Sequence, residues 1–136
     1  IGTLIVGYNT TFQRSSDLGR QMNQVFVGIP FGILRRKLKY LCEMNGIRYV
    51  EQEESYTSMA SFWDLDEMPV YGEAGLVPPV FSGRRICRGL YQDRSGRRIN
   101  ADVNGALNIM RKCNIVSLRA LYDRGDVDTP VRIRIA

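Results

Sequence analysis

The stretch that decides the fold is Ile99–Lys112, INADVNGALNIMRK. Its apolar residues recur at helical spacing, which predicts a helix with one apolar stripe. The stripe consists of Val103, Ala106, Leu107 and Met110. Asp102 opens this helix, where the helix dipole keeps a carboxylate ionised and able to hold a cation. Asn104 and Asn108 lie four residues apart on one face, and we expect them to orient that carboxylate.

Cationic side chains surround the start of this helix. They are Arg84, Arg85, Arg88, Arg94, Arg97, Arg98, Arg111 and Lys112. An acid among cations suits a metal-dependent nuclease, because the metal acts at the scissile phosphate while the cations hold the backbone. On spacing alone, an ordinary core helix with a stabilising N-terminal Asp is the simpler interpretation.

A longer run, Phe81–Lys112, reads FSGRRICRGLYQDRSGRRINADVNGALNIMRK. It resembles the C-terminal end of the TnpB (OrfB) proteins of insertion-sequence transposons. These are RNA-guided DNA endonucleases with a RuvC-like domain, related to compact type V CRISPR effectors. Upstream, LGRQMNQVFVGIPFGILRRKLKY and EESYTSMASFWD resemble one branch of the same family. The resemblance implies DNA and a guide RNA as partners and Mg²⁺ (or Mn²⁺) as cofactor. The pattern D-x-N-x-A-x-N-I implies that Asp102 is the third catalytic carboxylate.

Length and composition bound the class of protein. The chain has 136 residues, 44% hydrophobic and 24% charged, as in a folded domain or a piece of one. Its net charge of +5 suits a polyanionic partner. Three widely spaced cysteines and no histidine exclude a disulfide framework and His-dependent sites, and they indicate free thiols in a reducing cytoplasm. The sequence shows no membrane-spanning run and no signal peptide, and it leaves the oligomeric state open.

The N-terminal half reads as strand, helix and strand. Thr3–Gly7 is an apolar, β-branched run typical of a buried strand. A helix is predicted to start at Pro30 and to stop at Gly46. Its apolar residues are Phe31, Leu34, Leu38 and Leu41, opposite the basic residues Arg35, Arg36, Lys37 and Lys39. Ile47–Glu54 alternates like a strand. This order predicts a parallel pair with the helix as crossover.

Residues 55–100 are predicted to be an irregular insert with at most a small hairpin. Many TnpB-like proteins carry two cysteine pairs here that form a zinc ribbon. This chain has no such pairs, and Cys87 stands alone in the insert. A structural zinc needs about four ligands, so we expect none. Phe62 and Trp63 are expected to form a small apolar plug in its place, the alternative being that they stack on bases.

The predicted fold class is therefore α/β, a partial RNase H-like (RuvC-like) fold. It has two or three strands, a crossover helix, the insert in place of a zinc ribbon, and a C-terminal catalytic helix. Residues 1–136 would form the C-terminal part of one nuclease domain. The family's first catalytic carboxylate lies on a strand N-terminal to this sequence, so we expect the chain to be a fragment that is a poor or inactive nuclease by itself.

The second carboxylate of the family is a Glu at the end of the strand that here reads Leu4–Asn9, where Gly7 or Tyr8 takes its place. The next strand should run parallel and end at the same edge of the sheet, roughly 4.8 Å away. We therefore expect Glu54 to supply the second metal ligand beside Asp102. Glu53 is the less favoured choice, because neighbouring residues of a strand point to opposite faces. The alternative is that both are solvated strand-end charges.

These observations predict a fragment of a transposon-associated, RNA-guided DNA endonuclease that hydrolyses phosphodiesters with Mg²⁺. The main alternative is an inactive nucleic-acid-binding module from a decayed transposon gene, which needs the arginines but not Asp102. A generic α/β domain with a fortuitously basic surface is the third possibility.

Overall fold

The structure is a computed structural model that describes residues 1–9, 30–72, 79–115 and 117–124. The chain divides into two compact units, Ile1–Glu53 and Glu54–Ala136. The first contains β1 (Thr3–Tyr8), α1 (Phe31–Met44) and β2 (Arg48–Glu53). The second contains β3 (Arg84–Cys87), β4 (Leu90–Gln92), β5 (Arg98–Asn100), α2 (Ala101–Cys113) and α3 (Arg119–Arg124). The fold is thus mixed α/β with two small sheets.

The first unit is a βαβ arrangement. β1 and β2 pair in parallel, in a register that runs from Thr3 opposite Arg48 to Tyr8 opposite Glu53, which confirms the predicted pair. α1 begins after Pro30, whose carbonyl accepts hydrogen bonds from the first turn. Gly46 has a φ of 65°, a left-handed conformation that glycine adopts without steric cost. The predicted start and stop of the helix are therefore confirmed.

The buried face of α1 agrees with the prediction in part, since Phe31 and Leu38 are half-buried. Cys42 is buried, whereas Leu34 and Leu41 are 47% and 52% exposed. Arg35 was assigned to the solvated face, but its guanidinium lies 5.6 Å from the ring centroid of Tyr8 and 3.1 Å from a carboxylate oxygen of Glu51. The apolar spacing failed at these positions because a long arginine stem can cover a sheet as well as a leucine does.

The second unit contains a three-stranded antiparallel sheet in the order β3-β4-β5. This exceeds the small hairpin that we predicted for the insert. The strands have three or four residues each, too few for an alternating pattern to be read with certainty. α2 follows β5 without a loop and packs on the sheet. The helix itself was predicted to within one residue at each end.

The core of the second unit lies between the sheet, α2 and residues 60–63. Its buried apolar residues are Phe62, Tyr91, Ile99, Ala101, Leu107 and Leu118. Phe62 stacks on Tyr122 with ring centroids 4.6 Å apart, and Trp63 packs against the same cluster. Phe62 and Trp63 thus belong to one apolar cluster, as expected; that this cluster takes the place of a zinc ribbon stays a prediction. Of the predicted α2 stripe, Leu107 is buried while Ala106 is exposed.

Tyr91 also packs closely against Gly83, the residue that precedes β3. Its hydroxyl donates a hydrogen bond to the Met59 carbonyl at 2.8 Å. A Cβ added at Gly83 would lie 2.5 Å from the Tyr91 hydroxyl oxygen and 2.7 Å from the Gln92 carbonyl oxygen. Position 83 therefore has no room for a side chain.

The three thiols lie at different depths. Cys42 is buried in the first unit, Cys87 is exposed on β3, and Cys113 is half-buried at the end of α2. Among the residues that the structure describes, no helix is long and apolar enough to cross a membrane.

Candidate nucleic-acid interface

The outer face of the three-stranded sheet carries arginines in register. Arg84 pairs with Gln92, and Gln92 pairs with Arg98, so the three side chains share one face. Both arginines are exposed, whereas Tyr91 and Ile99 on the opposite face are buried. Strands lie about 4.8 Å apart, which places the two arginine backbones roughly 10 Å from each other. The sheet therefore presents a pair of cations to solvent.

Four further arginines of the second unit are exposed. Arg85 pairs with Tyr91 and so points to the face opposite Arg84, and the other three lie in the connections between strands. We define the basic surface as the six exposed arginines Arg84, Arg85, Arg88, Arg94, Arg97 and Arg98. All six lie between β3 and the end of the sheet, within the second unit. Desolvation and pairing costs are small for exposed arginines, so they are free to contact phosphates. The sequence predicted this set, and the structure distributes it over the strands and the connections of one small sheet.

A buried carboxylate holds the turn between β4 and β5. Asp93 is 7% exposed, and its Oδ1 accepts hydrogen bonds from the Ser95 hydroxyl and the Arg97 N–H, both at 2.8 Å. The Asp93 N–H donates to the Arg97 carbonyl at 3.0 Å. Gly96 supplies the positive φ of 89° that this turn needs. As a result, the backbone of Arg97 is fixed, and its guanidinium carbon lies 4.5 Å from the Trp63 ring centroid.

Two more carboxylates attach the irregular segment before the sheet to the sheet itself. Asp66 accepts hydrogen bonds from the Ser61 N–H at 2.8 Å and from the N–H and hydroxyl of Ser82. Asp64 accepts one from the Arg94 N–H at 3.0 Å. Sequence reasoning missed both residues. The available signal was Ser61, three residues before Asp64, whose hydroxyl accepts the Asp64 N–H in a local turn.

Hydrogen bonding also decides the charge of Asp64. Burial raises the pKa of this carboxyl, but the hydrogen bond from the Arg94 N–H, the nearby hydroxyls of Ser61 and Ser82 and the charge of Arg94 outweigh burial, so its pKa lies below the ordinary value. Asp64 is thus ionised at neutral pH and remains a strong acceptor for the turn that carries Arg94.

Asp102 lies in the first turn of α2 and is exposed. Asn100 caps the helix, because its side-chain oxygen accepts the N–H groups of Asp102 at 2.9 Å and Val103 at 3.1 Å. This is the N-cap geometry that stabilises a helix start. The predicted exposed carboxylate at the head of the helix is therefore present.

The expectation that Asn104 and Asn108 orient the Asp102 carboxylate is wrong. Both side chains are fully buried. Asn104 accepts the Phe62 N–H at 3.1 Å and donates to the Ala60 carbonyl at 2.9 Å. Asn108 donates to the carbonyls of residues 57 and 60. The physical reason is helical geometry: residues two apart point about 200° away from each other, so Asn104 faces the core when Asp102 faces solvent.

Glu53 and Glu54 follow the parallel pair. Glu53 is the last residue of β2 and pairs with Tyr8, so the two strands do end at one edge. Glu54 is half-buried, and its carbonyl accepts hydrogen bonds from the N–H and hydroxyl of Thr57. Over the described ranges, no group of three or more His, Cys, Asp or Glu side chains is placed to hold a metal ion. Ligation by Asp102 and Glu54 stays a prediction.

Arg111 and Lys112, the other predicted nucleic-acid contacts, are half-buried on α2. Arg111 donates a hydrogen bond to the Asp66 carbonyl, and burial lowers its pKa. The Lys112 ammonium lies 3.2 Å from the Ser55 carbonyl oxygen and 3.4 Å from that of Pro69. Both residues thus bind the backbone of the irregular segment, and a contact with nucleic acid stays a prediction for them.

Comparison with known proteins relates the chain to one described family. A family model described as Cas12f1-like, TNB domain, matches residues 31–109, which is more than half of the chain. The matched part includes α1, β2, the whole three-stranded sheet, the basic surface and Asp102. No curated protein and no solved structure matches the chain.

Proposed function

The chain belongs to the Cas12f1-like TNB domain family, which relates it to TnpB and the type V effectors, and we propose that it is part of a transposon-associated, RNA-guided DNA endonuclease. In this proposal, residues 1–136 are the C-terminal part of an RNase H-like (RuvC-like) nuclease domain. One observation carries the proposal: an exposed acid at the head of α2, Asp102, shares a unit with six exposed arginines.

Asp102 and Glu54 are the proposed ligands of Mg²⁺ or Mn²⁺, with Glu53 as the alternative to Glu54. Carboxylate oxygens are the donors that these hard cations prefer, so the donor type fits. When bound, the metal supplies Lewis-acid activation of water and of the phosphate. The chain itself contributes the position and charge of Asp102. The Asn100 cap fixes the first turn of α2, in which Asp102 lies.

The basic surface is the proposed contact for the phosphates of DNA and of the guide RNA. Its arginines are exposed and able to form bidentate hydrogen bonds with phosphate oxygens. Such contacts position a nucleic acid without reading its sequence. The family membership supports this role in general terms.

The second candidate is a nucleic-acid-binding module without nuclease activity. β1 favours it, because Thr3–Tyr8 contains no carboxylate where the TnpB family carries its second catalytic Glu. A binding module retains the basic surface but has no use for Asp102 as a ligand.

A manganese titration of the 136-residue chain separates the two candidates. Electron paramagnetic resonance would measure free Mn²⁺ for the wild type, for Asp102→Asn and for Glu67→Gln, an exposed carboxylate of the same unit. The nuclease proposal expects Asp102→Asn to weaken binding by at least about tenfold, since even outer-sphere changes cost that much. Glu67→Gln should have no effect. Equal Mn²⁺ affinity in all three proteins would favour the binding module.

A further inference from the structure

We propose that Arg97 and Trp63 form a platform on which one unpaired nucleobase of a single-stranded nucleic acid stacks. This inference rests on the proposed role of the basic surface and adds a contact that phosphate binding does not require. It assigns to Arg97 a task different from that of the other five exposed arginines.

The indole of Trp63 forms the rigid base of the platform. Phe62 packs against it edge-on, with ring centroids 5.2 Å apart and an interplanar angle of 70°. Tyr122 does the same at 5.7 Å and 78°. Phe62 is fully buried, so the Trp63 ring is held by the core of the unit. A ring fixed in this way loses little further freedom when a ligand binds.

Arg97 forms the upper layer. Its guanidinium carbon lies over the indole at 4.5 Å from the centroid, within the range of a cation–π interaction. Its backbone is fixed by Asp93 through both N–H and carbonyl. The side chain is exposed, and within the described part of the chain no hydrogen bond or ion pair engages its guanidinium. The Arg97 side chain is therefore accessible to a ligand from solution.

A planar guanidinium backed by an aromatic ring is suited to a base. Arginine planes stack on the faces of exposed bases in single-stranded nucleic acids, and stacking of this kind tolerates any base. Bases inside a duplex are already stacked on each other and cannot reach the platform. Arg94 and Arg98 lie beside Arg97 in the sequence and are exposed, so they are placed to contact the phosphates that flank the stacked base.

The platform makes a prediction that a plain phosphate contact does not make. Lysine carries the same charge as arginine but has no planar group, so it keeps the charge of a phosphate contact, without its bidentate geometry, and cannot replace a stacking layer. Arg97→Lys should therefore weaken binding to single strands only. Arg94→Lys, three residues away in the same turn, is the matched control.

The test uses the 136-residue chain and twelve-nucleotide oligomers: a single-stranded oligodeoxyadenylate, the matching oligoriboadenylate, an abasic strand of equal charge, and a duplex. Trp63 is the only tryptophan in the chain, so its fluorescence reports directly on the platform. We expect both single strands to change this fluorescence and the abasic strand to leave it nearly unchanged. Arg97→Lys should bind both single strands at least about fivefold more weakly, the lower end of what one base stack contributes, with an unaltered salt dependence. Arg94→Lys, which alters only a phosphate contact, should weaken binding to the single strands less than Arg97→Lys does, and should weaken binding to the duplex by a similar factor.

The possible outcomes distinguish failure of the platform from failure of the basic surface. If Arg97→Lys and Arg94→Lys bind single strands equally well, the platform is refuted while binding through the basic surface stands. If the abasic strand changes the Trp63 fluorescence as strongly as the oligodeoxyadenylate, the platform is refuted as well. If the wild type binds none of the four oligomers, the proposed function of the basic surface fails together with the platform.

Discussion

The two units of this chain are stabilised in different ways. In the first unit, Cys42 is the only buried side chain within residues 1–9 and 30–53, and every residue of β1 is half-buried. Its order comes mainly from the parallel backbone ladder and from the helix that crosses it. In the second unit, six buried apolar residues form a core, and buried polar side chains satisfy the backbone of an irregular segment.

This contrast shows how a segment without regular structure can be fixed. Residues 55–66 form turns, so their N–H and carbonyl groups have few partners in helices or strands. Buried backbone groups without partners are costly. Asn104, Asn108 and Asp66 supply those partners. Single polar side chains should therefore carry more of the stability in the second unit than in the first.

The largest difference in the free energy of unfolding is expected between alanine variants of two asparagines, one in each unit. Asn104→Ala leaves the buried Phe62 N–H without an acceptor and opens a cavity, which should lower the free energy of unfolding by about 3 kcal/mol. Asn45→Ala removes only an exposed hydrogen bond, 2.8 Å long, to the Leu41 carbonyl, and should cost less than about 1 kcal/mol. Urea unfolding followed by Trp63 fluorescence measures the first variant, and hydrogen exchange in β2 measures the second. Similar losses in both would remove the proposed contrast.

The next largest effect should be a loss of folding stability at alkaline pH. Burial, together with the charges of Asp66, Asp64 and Asp93, raises the pKa of Tyr91 to about 12 from an ordinary value of 10.0. The folded state favours the neutral phenol, so this stabilisation is complete below pH 10 and is lost as the pH rises from 10 to 12. The loss should amount to roughly 2–3 kcal/mol.

Urea midpoints from Trp63 fluorescence at pH 9 and pH 11.5 would measure this loss, with Tyr91→Phe as the control in which most of the pH dependence disappears. In the first unit, burial and a hydrogen bond to Glu51 raise the pKa of Tyr49 to about 12. Because Tyr49 is only half-buried, solvent screens the effect, and Tyr49→Phe should change the alkaline behaviour less. If Tyr49→Phe removed more of the pH dependence than Tyr91→Phe, the larger alkaline loss of stability would belong to the first unit.

Replacing two glycines with alanine should change the stability of their units in opposite directions. Gly83→Ala forces a methyl group against Tyr91 and the Gln92 carbonyl and should destabilise the second unit by about 1–3 kcal/mol. Gly32 lies in α1 with nothing within 4 Å of an added Cβ. Gly32→Ala should stabilise the first unit by up to about 1 kcal/mol, because glycine is the poorer helix former. Thermal unfolding and hydrogen exchange of both variants would check the signs.

The sequence predicted the features that depend on local spacing. The period of apolar residues located α1 and α2, and the order of strand, helix and strand predicted the parallel pairing of β1 with β2. It did not predict the three-stranded sheet, because each strand is only three or four residues long. It assigned the wrong task to Asn104, whose partner Phe62 lies 42 residues away in the sequence. No local pattern encodes such a contact.

For the candidate site, local composition predicted more than residue spacing did. The six arginines of the basic surface were identified because they are abundant in one stretch, and all six are exposed. The carboxylates that hold this stretch in place were not identified. Asp64 and Asp66 bind backbone groups that only the folded chain brings near, whereas Asp93 binds groups of its own turn. The ligand role of Asp102 and Glu54 depends on the resemblance to TnpB and awaits the manganese titration.

The three cysteines lie at different depths, so a thiol reagent should modify them at different rates. A thiol reagent in solution can modify Cys87 on mixing, because this side chain is exposed. Cys42 must wait until the first unit opens, and Cys113 responds to fraying at the end of α2. One labelling time course, resolved by peptide mass spectrometry, would thus report the opening of the first unit and the fraying of α2 separately without an engineered probe.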